Sequence, residues 1–236
     1  MKLQLGVSAL VLSSVLTGCG GGDGGTTTST SSVSGFSKHN GIYVNTDDLA
    51  VMLIDSTRSA HNLIVGDFAG NSVYFTDSGT VENNDTYKSK GLTYTDESSF
   101  LSSSSLELTA TFTDTTATLN GTVNNKNVVY SFDKSSDSKS LDEITGTYTD
   151  SDSGAVWTVD SGYLAINGDC LISAKLTRNG SYFNLTEINA SNCNDSSFDG
   201  QYDDGVLMTI KYQDHDYLAG IMGNDEAIMW GRVAIN

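Results

Sequence analysis

Apolar and polar side chains alternate along much of the chain after residue 36. Leu106 to Phe112 alternates, as do Ser181 to Ile188, Val206 to Tyr212 and, in part, Val128 to Phe132. A period of two predicts antiparallel strands with one face buried. No stretch after residue 36 sustains a 3.6-residue period. Turn signals fall between the alternating runs: Asp77-Ser78-Gly79, Asn120-Gly121, Asp160-Ser161-Gly162, Asn167-Gly168-Asp169, Arg178-Asn179-Gly180 and Gly223-Asn224-Asp225. Asn-Gly fits a tight hairpin because both residues accept positive φ. Short, regularly spaced strands predict an all-β fold of small barrels or sandwiches.

The pattern also repeats. Gly41-Ile42-Tyr43 matches Gly146-Thr147-Tyr148, and at the same offset Ala50-Val51 and Asp55-Ser56 match Ala155-Val156 and Asp160-Ser161. Gly66-Asp67 matches Gly168-Asp169, and Asn71 to Phe75 resembles Gly180 to Phe183. Later, Phe112-Thr113-Asp114 matches Tyr212-Gln213-Asp214, Leu119-Asn120-Gly121 matches Leu218-Ala219-Gly220, and Asn125 and Val129 match Asn224 and Ile228. Shared register at both ends predicts two tandem β units, 36–140 and 141–236. One larger barrel built from both halves is the alternative.

The N-terminus follows a different pattern. Lys2 precedes an apolar run from Leu5 to Leu16, and Leu16-Thr17-Gly18-Cys19 follows. A basic start, a short apolar core and small residues make a secretory signal, 1–18. The run is too short to span a bilayer, which takes roughly 20 residues. These residues resemble the bacterial lipobox of Leu, a small residue, Gly or Ala, and Cys. The resemblance implies lipid on the Cys19 thiol, cleavage before it and acylation of the new amine, with palmitate-type chains as a membrane anchor. Gly20 in place of Asp implies, by the sorting rule of Gram-negative lipoproteins, the outer membrane, without choosing its periplasmic or extracellular face. Residues 20–35 are nearly all Gly, Ser and Thr, so 19–35 reads as a lipidated cysteine on a flexible linker reaching roughly 20 Å.

Composition narrows the partners. The formal charge is -17, or -18 once Lys2 leaves with the signal. Such a chain repels nucleic acid phosphates and does not lie flat on anionic lipid. Proline is absent from all 236 residues, so turns fall to Gly, Asn and Asp. Cys170 and Cys193 remain after Cys19. In an exported chain this even pair reads as a disulfide; no CxxC and no nearby histidine supports a metal site or a reactive thiol in its place.

Residues 146 to 233 resemble a poorly characterised pattern in Gram-negative lipoproteins. The matching residues are Gly146-Thr147-Tyr148, Gly168-Asp169-Cys170, Asn192-Cys193, Gly200-Gln201-Tyr202 and Arg232. The resemblance implies an all-β lipoprotein and no activity. The Gly-rich stretch from Cys19 to Gly25 is also similar to surface-displayed lipoproteins whose β-barrels bind external proteins.

Candidate chemistry is sparse. His39, His61 and His215 have no ligand spacing, and Asp214-His215-Asp216 reads as a hairpin turn. Asp150, Asp152 and Gly154 faintly resemble a calcium loop, but the glycine comes one residue early and the bidentate Glu is missing; like Asp47 and Asp48 they read as an acidic turn. Ser131 to Lys134 and Ser136 to Lys139 fit SxxK without companion motifs, and no GxSxG elbow occurs. Trp157, Trp230, Tyr163, Tyr182 and Tyr217 are the aromatic candidates for a glycan or peptide surface, with core packing as their ordinary role. The expectation is therefore a non-enzymatic binding or interaction module on the outer membrane, without metal or cofactor, taking a protein or glycan partner. The alternatives are a periplasmic structural or envelope-assembly lipoprotein and, last, a hydrolase with an unrecognised site.

Overall fold

The computed structural model describes residues 33–235; the signal, Cys19 and nearly all of the linker lie outside them. The chain is all-β. A 3-10 turn, Val33–His39, leads into β1 (Gly41–Asn45), β2 (Ala50–Ile54), β3 (Leu63–Asp67), β4 (Ser72–Asn83), β5 (Thr86–Asp96), β6 (Phe100–Ser103), β7 (Leu108–Phe112), β8 (Thr116–Val123) and β9 (Lys126–Lys134). A one-turn helix, α1 (Leu141–Ile144), then leads into β10 (Gly146–Thr149), β11 (Val156–Asp160), β12 (Tyr163–Asn167), β13 (Leu171–Asn179), β14 (Tyr182–Ser191), β15 (Gly200–Tyr202), β16 (Asp204–Tyr212), β17 (His215–Gly223) and β18 (Ile228–Ile235).

Strands β1 to β5 and β7 to β9 form a closed eight-stranded antiparallel barrel; β4 pairs β5, β5 pairs β7, and β1 pairs β9 through Tyr43↔Lys134 and Val44↔Asp133. Strand β6 adds to β5 outside the ring. The second sheet runs β10-β11-β12-β13-β14-β16-β17-β18, with β15 added to β14. The strand order is the same in both sheets. Some of the matched residues fall on corresponding strands, Gly41–Tyr43 and Gly146–Tyr148 on β1 and β10 and Leu119–Gly121 and Leu218–Gly220 on β8 and β17, whereas Gly66-Asp67 lie in β3 and Gly168-Asp169 in the turn after β12. The match of Asn71–Phe75 to Gly180–Phe183 does not correspond either: the first opens the fourth strand of its sheet, the second the fifth.

Two turn expectations are corrected. Asp77-Ser78-Gly79 lies inside β4, and Asn120-Gly121 inside β8. The β8–β9 turn comes one step later, at Asn124-Asn125, where both residues have positive φ, as a primed hairpin turn requires. Gly121 is a packing glycine instead: a Cβ there would run into Leu108 Cδ2. Asp160-Ser161-Gly162 does form a turn, with Ser161 and Gly162 at positive φ.

Three Gly-x-Tyr strand starts share one device. Tyr43 Oη donates to His39 O at 2.9 Å, Tyr148 Oη to Ile144 O at 3.1 Å and Tyr202 Oη to Phe198 O at 3.0 Å. Each bond satisfies the last carbonyl of a helical turn that would otherwise lack a partner, and so fixes how the chain enters the sheet.

Alternation fills each sheet's concave side, with Tyr43, Met52, Tyr87 and Phe132 in the barrel and Trp157, Phe183, Leu207 and Val233 in the second sheet. The continuous apolar runs of β1 to β3 have a further reason. Their second faces, Ile42, Val51, Leu53 and Ile64, pack against Val206, Met208, Ala219 and Ile221 of β16 and β17 in a third core between the sheets. Strands buried on both faces lose alternation. At the edge of this core the Arg58 guanidinium, its side chain 8 % exposed, pairs with Asp204 and donates to Tyr182 Oη at 2.9 Å and Asn184 Oδ1 at 2.7 Å. Sheets that share a buried core and a buried ion pair form one unit.

Candidate functional site

The second sheet is not sealed as the barrel is. Its first and last strands, β10 and β18, approach within 8 Å between Cα atoms. No ladder pairing joins them among the described residues. β10 ends at Thr149, and the turn that follows it, with Asp150, Asp152, Ser153 and Gly154, lines a cleft of about 810 Å³ together with the Ile228–Arg232 stretch of β18. A smaller groove of about 610 Å³ continues between Thr147–Thr149 and Arg232, Ala234 and Tyr217.

Alternation in β11 turns Trp157 inward to form the cleft floor, 4 % exposed. The strands above it carry glycine at the contact: a Cβ on Gly220 or Gly231 would lie 3.3 or 3.2 Å from its ring. Trp230 is half-buried on the wall, and its Nε1 donates to Asn71 Oδ1 at 3.1 Å. Asn71 and Phe68 reach the cleft from the β3–β4 turn of the barrel. Met229, Ile172, Met222 and Phe198 add to the apolar lining.

The rim is acidic. Asp150, Asp152 and Asp169 line it together with Arg232, whose guanidinium stacks over the Tyr217 ring at 5.6 Å. Asp150 Oδ1 accepts from Asp152 N at 3.2 Å, Ser153 N at 2.8 Å and Ser153 Oγ at 2.7 Å. Burial works against the Asp150 charge, but these bonds and the charge of Arg232 outweigh it and hold the carboxyl below its ordinary range. Through these bonds Asp150 and Ser153 close a turn. Cys170 and Cys193 are joined by a disulfide that pins the start of β13 beside the cleft to the segment after β14.

The other candidates scatter. His39 is fully buried against Phe36 and Phe112 and meets Asp85 Oδ1 through Nε2 at 2.9 Å. His61 stacks on Phe75, with Nδ1 2.7 Å from Thr76 O. His215 is exposed at the start of β17 after a turn at Gln213-Asp214. Asp47 and Asp48 are a capped turn on Asn45. Lys139 pairs with Asp216 at 2.8 Å rather than with Ser136, and Lys134 bonds the carbonyl of Lys38, just ahead of the neighbouring strand β1, rather than Ser131. Among the described residues no three His, Cys, Asp or Glu side chains converge on a metal-sized site.

Of the five aromatic candidates, Trp157 and Trp230 both line the cleft and Tyr217 lines the adjoining groove. Tyr182 is in the inter-sheet core, with its hydroxyl on Asp55, and Tyr163 lies exposed elsewhere. Phe68, Asn71 and Met229 were not foreseen. They come from three distant sequence positions, and nothing local marks them as neighbours. No protein-family model, curated protein or solved structure matches this chain.

Proposed function

We propose that this chain is a lipid-anchored, non-enzymatic binding module of the outer membrane. Cys19 carries the lipid after removal of residues 1–18, the Gly/Ser/Thr stretch is a tether, and two β units arisen by duplication form the folded head. The observation that carries the binding reading is the cleft at the unsealed side of the second sheet: an aromatic floor and wall, Trp157 and Trp230, under a carboxylate rim, Asp150, Asp152 and Asp169. Aromatic faces beside carboxylates suit a cation, through ring quadrupole and charge together. A chain of formal charge -17 adds long-range attraction of the same sign. The partner is accordingly a protein segment bearing Lys or Arg.

Both tryptophans of the sequence line the cleft, so their emission reports its occupancy directly. Titration with hexalysine at low salt should shift or quench that emission, while hexaglutamate should leave it unchanged. Equal responses to both, or none to either, would remove the cationic-partner reading. Protease added to intact cells then tests the location: cleavage of the head without lysis supports surface display, and protection until the outer membrane is broken supports the periplasmic accessory role.

A further inference from the structure

We infer that the partner segment binds as an added β-strand on the uncovered edge of β18, with its backbone hydrogen-bonded to Ile228–Arg232. This rests on the cleft being a binding site and specifies how it binds. In the barrel, the first and last strands are tied by two ladder pairs, Tyr43↔Lys134 and Val44↔Asp133. The corresponding strands of the second sheet, β10 and β18, have none. β10 has four residues and β18 eight, so β10 cannot cover the whole of that edge. β17 takes one side of β18 along its full length, from Ile235 to Ile228. The other side therefore presents a row of alternate N–H and C=O groups, and from Ile228 to Arg232 that row borders the cleft.

A free edge of this kind is a template for an extended chain. A natural edge strand is blunted by Pro, by Lys or by a bulge. β18 has no Pro, no Lys and no register shift in its β17 ladder, and its only charge is Arg232 at the groove end. The occupant is an extended peptide whose side chains alternate. One set lies on Trp157 and Met229, and the other meets Asp150, Asp152 and Asp169. Charge complementarity makes that second set basic: the cleft carries three carboxylates against one guanidinium. Backbone bonds supply affinity and the two pockets supply selectivity.

The test uses the full chain, two measurements and three defined peptides. Hydrogen exchange of the free protein should show alternate amides within Ile228–Arg232 exchanging at least about tenfold faster than those of Tyr43, Val44 and the β17–β18 ladder. Slow exchange throughout would mean that the edge is already covered, which overturns strand addition and leaves the cleft reading standing. An eight-residue peptide of alternating valine and lysine should then quench the tryptophans and slow those same amides at least about tenfold. A version N-methylated at alternate residues should lose the amide protection and at least about tenfold in affinity, and a valine–glutamate version should not bind. Quenching by the valine–lysine peptide without protection, or equal affinity of its N-methylated form, would show side-chain docking alone and overturn the inference. No quenching by valine–lysine or by hexalysine would remove the cleft reading together with it.

Discussion

Tyr182 of the second sheet donates its hydroxyl hydrogen to Asp55 Oδ2 of the barrel at 2.9 Å, across the core that the two sheets share. Arg58 approaches the same phenol from the barrel side and pairs with Asp204. Removing one member of a buried charge pair leaves the other unpaired and costs about 3–5 kcal/mol. Arg58→Ala should therefore lower the unfolding free energy by about 3 kcal/mol, read from urea midpoints at constant m. Arg58→Met with Asp204→Leu should recover most of that loss, because no lone charge remains. A loss below about 1 kcal/mol for Arg58→Ala would show that the pair is solvated.

The Gly-x-Tyr entries give a smaller and more uniform effect. Tyr43→Phe and Tyr148→Phe each delete one hydroxyl that bonds the carbonyl four residues back. Each should cost about 1 kcal/mol, the net contribution of such a bond, in the same urea assay. Tyr43 is the more deeply buried of the two, so its variant should show the larger effect.

The disulfide closes a loop with a sequence separation of 23. In the chain-entropy treatment that contributes about 3.5 kcal/mol. Cys170→Ala with Cys193→Ala should destabilise the chain by about that amount and raise acrylamide quenching of the tryptophans, since Cys170 borders their cleft. Unchanged quenching would show that the cleft wall stands without the bridge.

Stability should fall at both ends of the pH scale. The hydroxyl of Tyr94 and the amide of Ser98 hold the Asp96 carboxyl at about 2, and His39 and Lys38 hold Asp85 below its usual range. A folded pKa below the unfolded value means that stability is present above about pH 4 and is lost as pH falls toward 2. Burial raises the Tyr182 and Tyr202 phenols to about 12. A raised folded pKa gives stability that is full below about pH 10 and lost as pH climbs toward 12. Urea midpoints should thus be flat between about pH 5 and 9 and should decline outside that window; a steady slope across neutral pH would contradict these assignments.

Much of the fold is legible in the residues. The alternation of Leu108 to Phe112 is the inside–outside pattern of β7, and Cys170 with Cys193 reads as the bridge that forms; Val206 to Ile210, expected to bury one face, is buried on both because β16 lies between two cores. Three things were hidden for physical reasons. Asn120-Gly121 carries a hairpin signature, yet Gly121 is there because the Leu108 side chain occupies the space of a Cβ. The unbroken run Ala50 to Ile54 is apolar because Met52 faces the barrel interior and Leu53 the other sheet, and which surface covers an outer face is not a local property. The cleft draws Phe68, Asp150, Trp157, Asp169 and Trp230 from separate turns and strands, so its residues have no spacing to detect.

The most direct test of the binding role places a photoreactive phenylalanine analogue at Phe68, on the cleft, and separately at Phe100, 45 % exposed on β6 of the barrel. Both sites keep an aromatic ring, and the eight-residue valine–lysine peptide serves as the partner. Irradiation should give a peptide adduct from position 68 and none from position 100, with the adduct lost when Asp150 and Asp152 are both changed to Asn. No adduct from position 68, or the same adduct from both positions, would contradict a partner seated in the cleft.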